Sequence, residues 1–134
     1  MLYNIKTGYR GIAMQPQSDI VYIVCKAADI IAKCGEWCFT DGHAKTAITG
    51  FYNDLKDIGE VDWDIVNERY WNNTDEDFDR MRRKQAEFLV KDVVPVSCIA
   101  GIGVYDEEKR ILVQEILDRL ELTIPVKVSP KLYF

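Results

Sequence analysis

Histidine occurs once in this chain, at His43, and cysteine four times, at Cys25, Cys34, Cys38 and Cys98. A structural zinc site needs about four such ligands. Cys34-x-x-x-Cys38 has the spacing of one half-site, and no second half-site follows, so no metal is expected. Too few cysteines for a disulfide scaffold, and the apolar runs around Cys25 and Cys98, point to buried thiols in a reducing, cytoplasmic compartment. No apolar run approaches the roughly 18 residues of a membrane span, so no membrane is expected. Met1 to Lys6 has no charged stretch followed by an apolar one, so it does not read as a signal peptide. Asn72-Asn73-Thr74 fits a glycosylation sequon that has no meaning without secretion. A basic excess is also missing. The net charge is −5, which argues against a general nucleic-acid binder while leaving room for a local basic site at Arg80, Arg82, Arg83 and Lys84.

What remains is an ordinary globular composition. Of 134 residues, 48% are hydrophobic and 29% charged. That length suits a single domain over residues 1–134 with one core. There are no internal repeats, low-complexity tracts or linkers.

The pattern alternates strands and helices irregularly. Met1 to Lys6 reads as a short helix stopped by Gly8 and Gly11, and residues 12–19 as a loop around Pro16. Ile20 to Cys25 is a β-branched, apolar run, the signature of a buried strand. Lys26 to Lys33 reads as a helix with Gly35 as its C-cap. Trp37 to Thr40 reads as a strand. Asp41-Gly42 turns the chain, and Thr40 or Asp41 is placed to cap a helix running through Ile48 and ended by Gly50. A helix from Asp62 or Asp64 places Trp63, Val66 and Tyr70 on one face, with Trp63 in the core. Asn72 to Asp79 is an exposed loop. Cys98 to Tyr105 is a strand whose Gly101 and Gly103 permit a bulge or close backbone approach. Asp106 caps a helix with a stripe of Val113, Ile116, Leu117 and Leu120. Residues 125–128 close the chain as a strand. Without regular βαβ repetition, the class is α+β.

Glu87 stands out. Four cations, from Arg80 to Lys84, lead into an apolar strand with Glu87 in its middle. A buried ionised carboxylate is costly unless it is paired or faces a cleft, which makes it a functional candidate. Strand periodicity puts Glu87 with Gln85 and Leu89 on one face, and Ala86, Phe88 and Val90 on the other. Periodicity alone is equally met by a half-exposed strand with Glu87 in water. His43 lies at the turn after Thr40, where backbone N–H groups are free; it reads either as structural or as catalytic. The aromatics and arginines between Phe51 and Trp71 suit base stacking and phosphate contact, or simply core packing.

These pieces fall in a definite order. Phe39-Thr40-Asp41-Gly42-His43-Ala44 is followed by Phe51-Tyr52-Asn53-Asp54-Leu55, Asp62-Trp63-Asp64 and Arg69-Tyr70-Trp71. Then come Asp79-Arg80-x-Arg82-Arg83-x-Gln85-Ala86-Glu87-Phe88-Leu89-Val90 and Gly101-Ile102-Gly103-Val104-Tyr105. In this the chain resembles the DarT family of bacterial DNA ADP-ribosyltransferase toxins. The resemblance implies an ADP-ribosyltransferase-like mixed sheet core with flanking helices. It implies NAD as ADP-ribose donor, a thymine in single-stranded DNA as acceptor, and a macrodomain-type antitoxin as partner. It places Glu87 on the family's catalytic glutamate and His43 on a histidine near the site. Leu2 and Tyr3 fall near the cofactor, and Tyr70, Trp71, Arg82 and Arg83 in the DNA-recognising region. Met1-Leu2-Tyr3 resembles a segment inside the family domain, so the match is expected to cover roughly its C-terminal two-thirds, with weakened NAD affinity. The alternative function is a non-catalytic relic or single-stranded nucleic-acid-binding module of the same fold; a protein-interaction domain with Glu87 solvated is a third.

Overall fold

The computed structural model describes residues 2–133; Met1, Phe134 and the side chains of Leu2, Tyr3, Asn4 and Arg10 lie outside the description. In chain order the elements are α1 (Leu2–Thr7), β1 (Tyr22–Cys25), α2 (Ala27–Lys33), β2 (Trp37–Thr40), β3 (Phe51–Tyr52), α3 (Trp63–Asn67), α4 (Arg80–Arg83), β4 (Phe88–Val90), β5 (Ile99–Val104), α5 (Glu107–Arg119) and β6 (Val126–Val128). Helices with mixed sheets make this an α+β fold. The residues cluster into two compact units, 1–33 with 95–134, and 34–94. No helix among the described residues is long and apolar enough to cross a membrane.

The first unit is built on a sheet in the order β1-β5-β6. β1 runs antiparallel to β5, with a bulge between Val24 and Cys25, while β5 and β6 are parallel and joined through α5. Glycine serves β5 by close approach: a Cβ on Gly103 would meet Leu132 Cδ1 at 3.0 Å. Val104, Cys98, Leu117, Ile30 and Ile124 are its buried apolar residues. Asp106 caps α5 by accepting from Lys109 N at 2.9 Å, which satisfies one of the free first-turn donors. At the other end Glu121 takes the left-handed φ of 55°, and Leu122 N donates to Leu117 O at 2.9 Å. That closure satisfies a terminal carbonyl without glycine. Tyr133 ties the last residues down, donating from its hydroxyl to Ile20 O at 2.7 Å.

Several expectations fail here, and for β1 and α5 the reason is that each one-dimensional pattern assumes a neighbour on a given face. Ile23 in β1 is 61% exposed, so the strand is not buried. On α5 only Leu117 of the expected stripe is buried, and Leu120 ends the helix exposed. Gly35 keeps ordinary φ, so α2 does not end in a left-handed cap.

The second unit is built on the sheet β3-β2-β4, antiparallel throughout. Cross-strand aromatics hold it: Trp37 stacks on Phe88 with centroids 5.5 Å apart, and Phe39 on Tyr52 at 5.4 Å. Its buried residues include three polar ones, Thr40, Thr49 and Lys84, beside Phe39, Val61 and Ile65. Asp62 caps α3 by accepting from Ile65 N. The helix ends at Asn67, so Tyr70 does not share its face; Ile65 is the buried residue and Trp63 is 49% exposed.

Two corrections in this unit bear on function. Residues 41–50 form turns instead of the expected helix. Asp41 Oδ1 accepts from Gly50 N at 2.9 Å and Thr49 Oγ1 donates to His43 O at 2.9 Å. Short polar side chains here take backbone groups that a helix would use. The basic run, with good helix formers Arg, Met and Lys, makes the short α4. The chain then turns, with Gln85 N donating to Arg82 O and Ala86 N to Arg83 O. β4 starts only at Phe88, so Glu87 precedes the strand and is not in its middle.

Candidate active site

Glu87 is positioned by the end of β2. Thr40 N donates to Glu87 O at 2.9 Å, and Glu87 N donates to Thr40 Oγ1 at 3.0 Å. The ladder is thus extended one residue beyond β4, with a hydroxyl in place of a carbonyl. The same hydroxyl donates to Gly42 O at 2.6 Å. Thr40 is fully buried, and this one oxygen fixes the backbone of Glu87 and the turn after β2 in a common frame.

That turn brings His43 and Ala44 to the carboxylate. Ala44 N donates to Glu87 Oε2 at 2.9 Å. His43 Nδ1 lies 3.6 Å from the same oxygen, and it is buried with no hydrogen-bond partner. Glu87 Oε1 makes no contact of this kind among the described residues, and the side chain is 40% exposed. A carboxylate pinned through one oxygen and open at the other is suited to accept a hydrogen bond from a ligand hydroxyl and to face developing positive charge. The backbone N–H groups expected to be free near His43 are instead used: His43 N donates to Arg82 O and Ala44 N to Glu87 Oε2.

The four cations before Glu87 are committed within the protein. Arg80 pairs with Glu68, and its guanidinium lies 5.6 Å from the centroid of Tyr70. Arg82 grips Asp79 with two nitrogens, at 2.8 and 2.7 Å, and Asp41 with a third at 2.8 Å. Arg83 pairs with Asp62 and, at 2.5 Å, with Asp77. Lys84 donates to the carbonyls of Ile65, Val66 and Glu68, and lies 5.1 Å from the Trp71 centroid. The Arg82 hydrogen bonds hold the Asp79 carboxyl below the usual range. Burial, with Arg80 nearby, lowers the Lys84 ammonium.

The local basic site expected at these residues is therefore neutralised. The guanidiniums of Arg82 and Arg83 are spent on carboxylates, a geometry that suits them to holding loops more than to phosphate contact. Tyr70 and Trp71 sit near these cations and remain substantially exposed. The side chains of Leu2 and Tyr3 lie outside the described residues. No group of three or more His, Cys, Asp or Glu among the described residues is arranged to hold a metal ion.

Sequence reasoning singled out Glu87 and His43, which the fold brings together, and missed Thr40 as the group that places Glu87. The signal for Thr40 was present: a polar β-branched residue ending an apolar strand before Asp-Gly. It was read as a helix cap.

Comparison with known proteins shows the family of the chain. The family model for ssDNA thymidine ADP-ribosyltransferase, DarT, matches residues 1–134. A DNA ADP-ribosyl transferase of Escherichia coli O127:H6 is 33% identical over 134 residues, all of this chain and 62% of the relative. One from Mycobacterium bovis is 30% identical over 135 residues, with 58% of its length covered. The chain thus spans about 60% of the length of these relatives. Among solved structures, Thermus sp. 2.9 DarT in complex with ADP-ribosylated ssDNA superposes with a TM-score of 0.89 at 27% identity, over 99% of this chain and 63% of that one. The same protein in complex with carba-NAD+ gives 0.86 at 28% identity, over 99% and 67%. The chain belongs to the DarT family.

Proposed function

We propose that this chain acts in NAD-dependent transfer of ADP-ribose to a thymine base of single-stranded DNA, with Glu87 as the catalytic carboxylate. The observation that carries the reading is the Ala44–Glu87–His43 arrangement, in which one carboxylate oxygen is pinned and the other is open. One relative of similar fold, Thermus sp. 2.9 DarT, was solved both with ADP-ribosylated ssDNA and with carba-NAD+, and these ligands are brought to this chain by the proposal.

In this reading Glu87 accepts a hydrogen bond from a hydroxyl of the nicotinamide ribose. Its charge stabilises the oxocarbenium-like transition state as the bond from the anomeric carbon to the nicotinamide nitrogen breaks. A thymine ring nitrogen then bonds to that carbon and loses its proton to a neighbouring base, Glu87 or His43. Tyr70 and Trp71 are exposed aromatic planes for stacking the bases. NAD enters as substrate, and no step uses a metal. The setting is the bacterial cytoplasm, with a macrodomain-type antitoxin as partner.

The test is incubation of the chain with NAD labelled on the adenylate and a thymine-containing single strand. Label is expected on the strand and absent with Glu87→Ala. No transfer by the wild-type chain, or equal transfer by the variant, overturns the proposal.

A further inference from the structure

Arg82 binds the turn that holds Glu87 from two directions. Its guanidinium fork closes on Asp79 through Nε and Nη2, while Nη1 reaches Asp41 at 2.8 Å and Thr49 Oγ1 at 3.4 Å. Its carbonyl accepts from His43 N at 3.0 Å and from Gln85 N at 3.0 Å. Gly42 lies flat against it: a Cβ there would meet Arg82 Cγ at 2.8 Å and Arg82 O at 2.9 Å. The side chain is 11% exposed. The side-chain hydrogen bonds end on residues 41–49 or on the acidic loop before α4, and the last amide of the gripped turn, Ala44, is the one that donates to Glu87 Oε2.

We infer that Arg82 is a positioning residue for Glu87, acting through the Asp41–Ala44 turn and not by touching nucleic-acid phosphate. This rests on the reading of Glu87 as the catalytic carboxylate. Planar guanidinium makes the role specific: three nitrogens aimed at two carboxylates fix an orientation that an ammonium, a point charge on a flexible stem, does not. A carboxylate displaced by about 1 Å loses much of its transition-state contact.

The test uses the full chain labelled with nitrogen-15. Glu87→Ala identifies the direction in which the Ala44 amide signal moves when its acceptor is lost. Arg82→Met is expected to move the Ala44 signal in that direction, while the amides of β5 stay in place. In the transfer assay kcat is expected to fall at least tenfold, with KM for NAD and for the strand within twofold of wild type. An unmoved Ala44 signal in a folded Arg82→Met chain overturns the inference. So does a raised KM for the strand at unchanged kcat, which marks a phosphate contact. Should Arg82→Met fail to fold, Asp79→Asn opens one side of the fork at a half-exposed position and is judged by the same signal. Should the wild-type chain transfer nothing, the proposed function fails, and the Ala44 signal alone decides the role of Arg82.

Discussion

The amide of Ala44 donates to Glu87 Oε2 across 43 positions of sequence. Backbone supplies that donor, so the contact does not depend on which side chain stands at residue 44. It depends on the turn being held.

Glu87→Gln keeps an amide oxygen that Ala44 N–H can reach, so the fold is expected to survive with little change in Tm. The charge is gone, and transfer is expected to fall by roughly a hundredfold or more. Circular dichroism melts run beside the transfer assay check both halves. A variant that melts like wild type and retains full activity removes Glu87 from the chemistry.

Thr40→Val preserves shape and deletes the hydroxyl. Gly42 O and Glu87 N then lose their shared partner in a fully buried position. The expected loss is about 1–3 kcal/mol, read by urea unfolding. A change within a few tenths of wild type contradicts the bridging role.

Asp79 predicts an acid-side dependence. Arg82 hydrogen bonds, with the nearby charges of Arg82 and Arg83, hold its carboxyl below the ordinary 3.8. A folded value below the unfolded one binds fewer protons in the folded state. The stabilisation is therefore present above the ordinary carboxylate range and is lost as pH falls through the folded value. Wild type is expected to be more stable than Asp79→Asn at neutral pH, with the difference closing as pH falls through the lowered folded value of Asp79. Equal Tm values for the two at neutral pH contradict the coupling.

Glu121 holds a left-handed conformation at the end of α5. Glycine adopts it without the Cβ penalty. Glu121→Gly is expected to raise stability by about 0.5–1 kcal/mol, the left-handed cost of an L-residue less the larger unfolded-state entropy of glycine, measured by denaturant unfolding. A destabilised variant shows that the glutamate side chain contributes more than its backbone strain.

Much of the frame was legible because its signals are local. Trp37–Thr40 and Ile99–Val104 are short β-branched or aromatic runs bounded by turn residues, and both are strands. Asp106 before an amphipathic run is a helix start, and its carboxylate does cap α5. The segment after Thr40 was not legible, because Thr40 or Asp41 before it and Gly50 after it read as the start and stop signals of a helix. Its actual turns depend on Asp41 reaching Gly50 and Arg82, partners that no window of sequence brings together. The basic run misled for the same reason: charge is visible in sequence, but neutralisation by Asp41, Asp62, Glu68, Asp77 and Asp79 is not.

By itself the sequence determined the α+β class, the order of the motif blocks and the choice of Glu87 as a candidate, since residue type, spacing and turn chemistry act over a few positions. Only the tertiary structure decided that Glu87 precedes its strand, that the arginines before it are internal, and that Ala44, His43 and Thr40 surround it. Hydrogen bonds and ion pairs require atoms within about 3–4 Å, and that proximity is created by pairing β2 with the segment carrying Glu87, not by nearness along the chain.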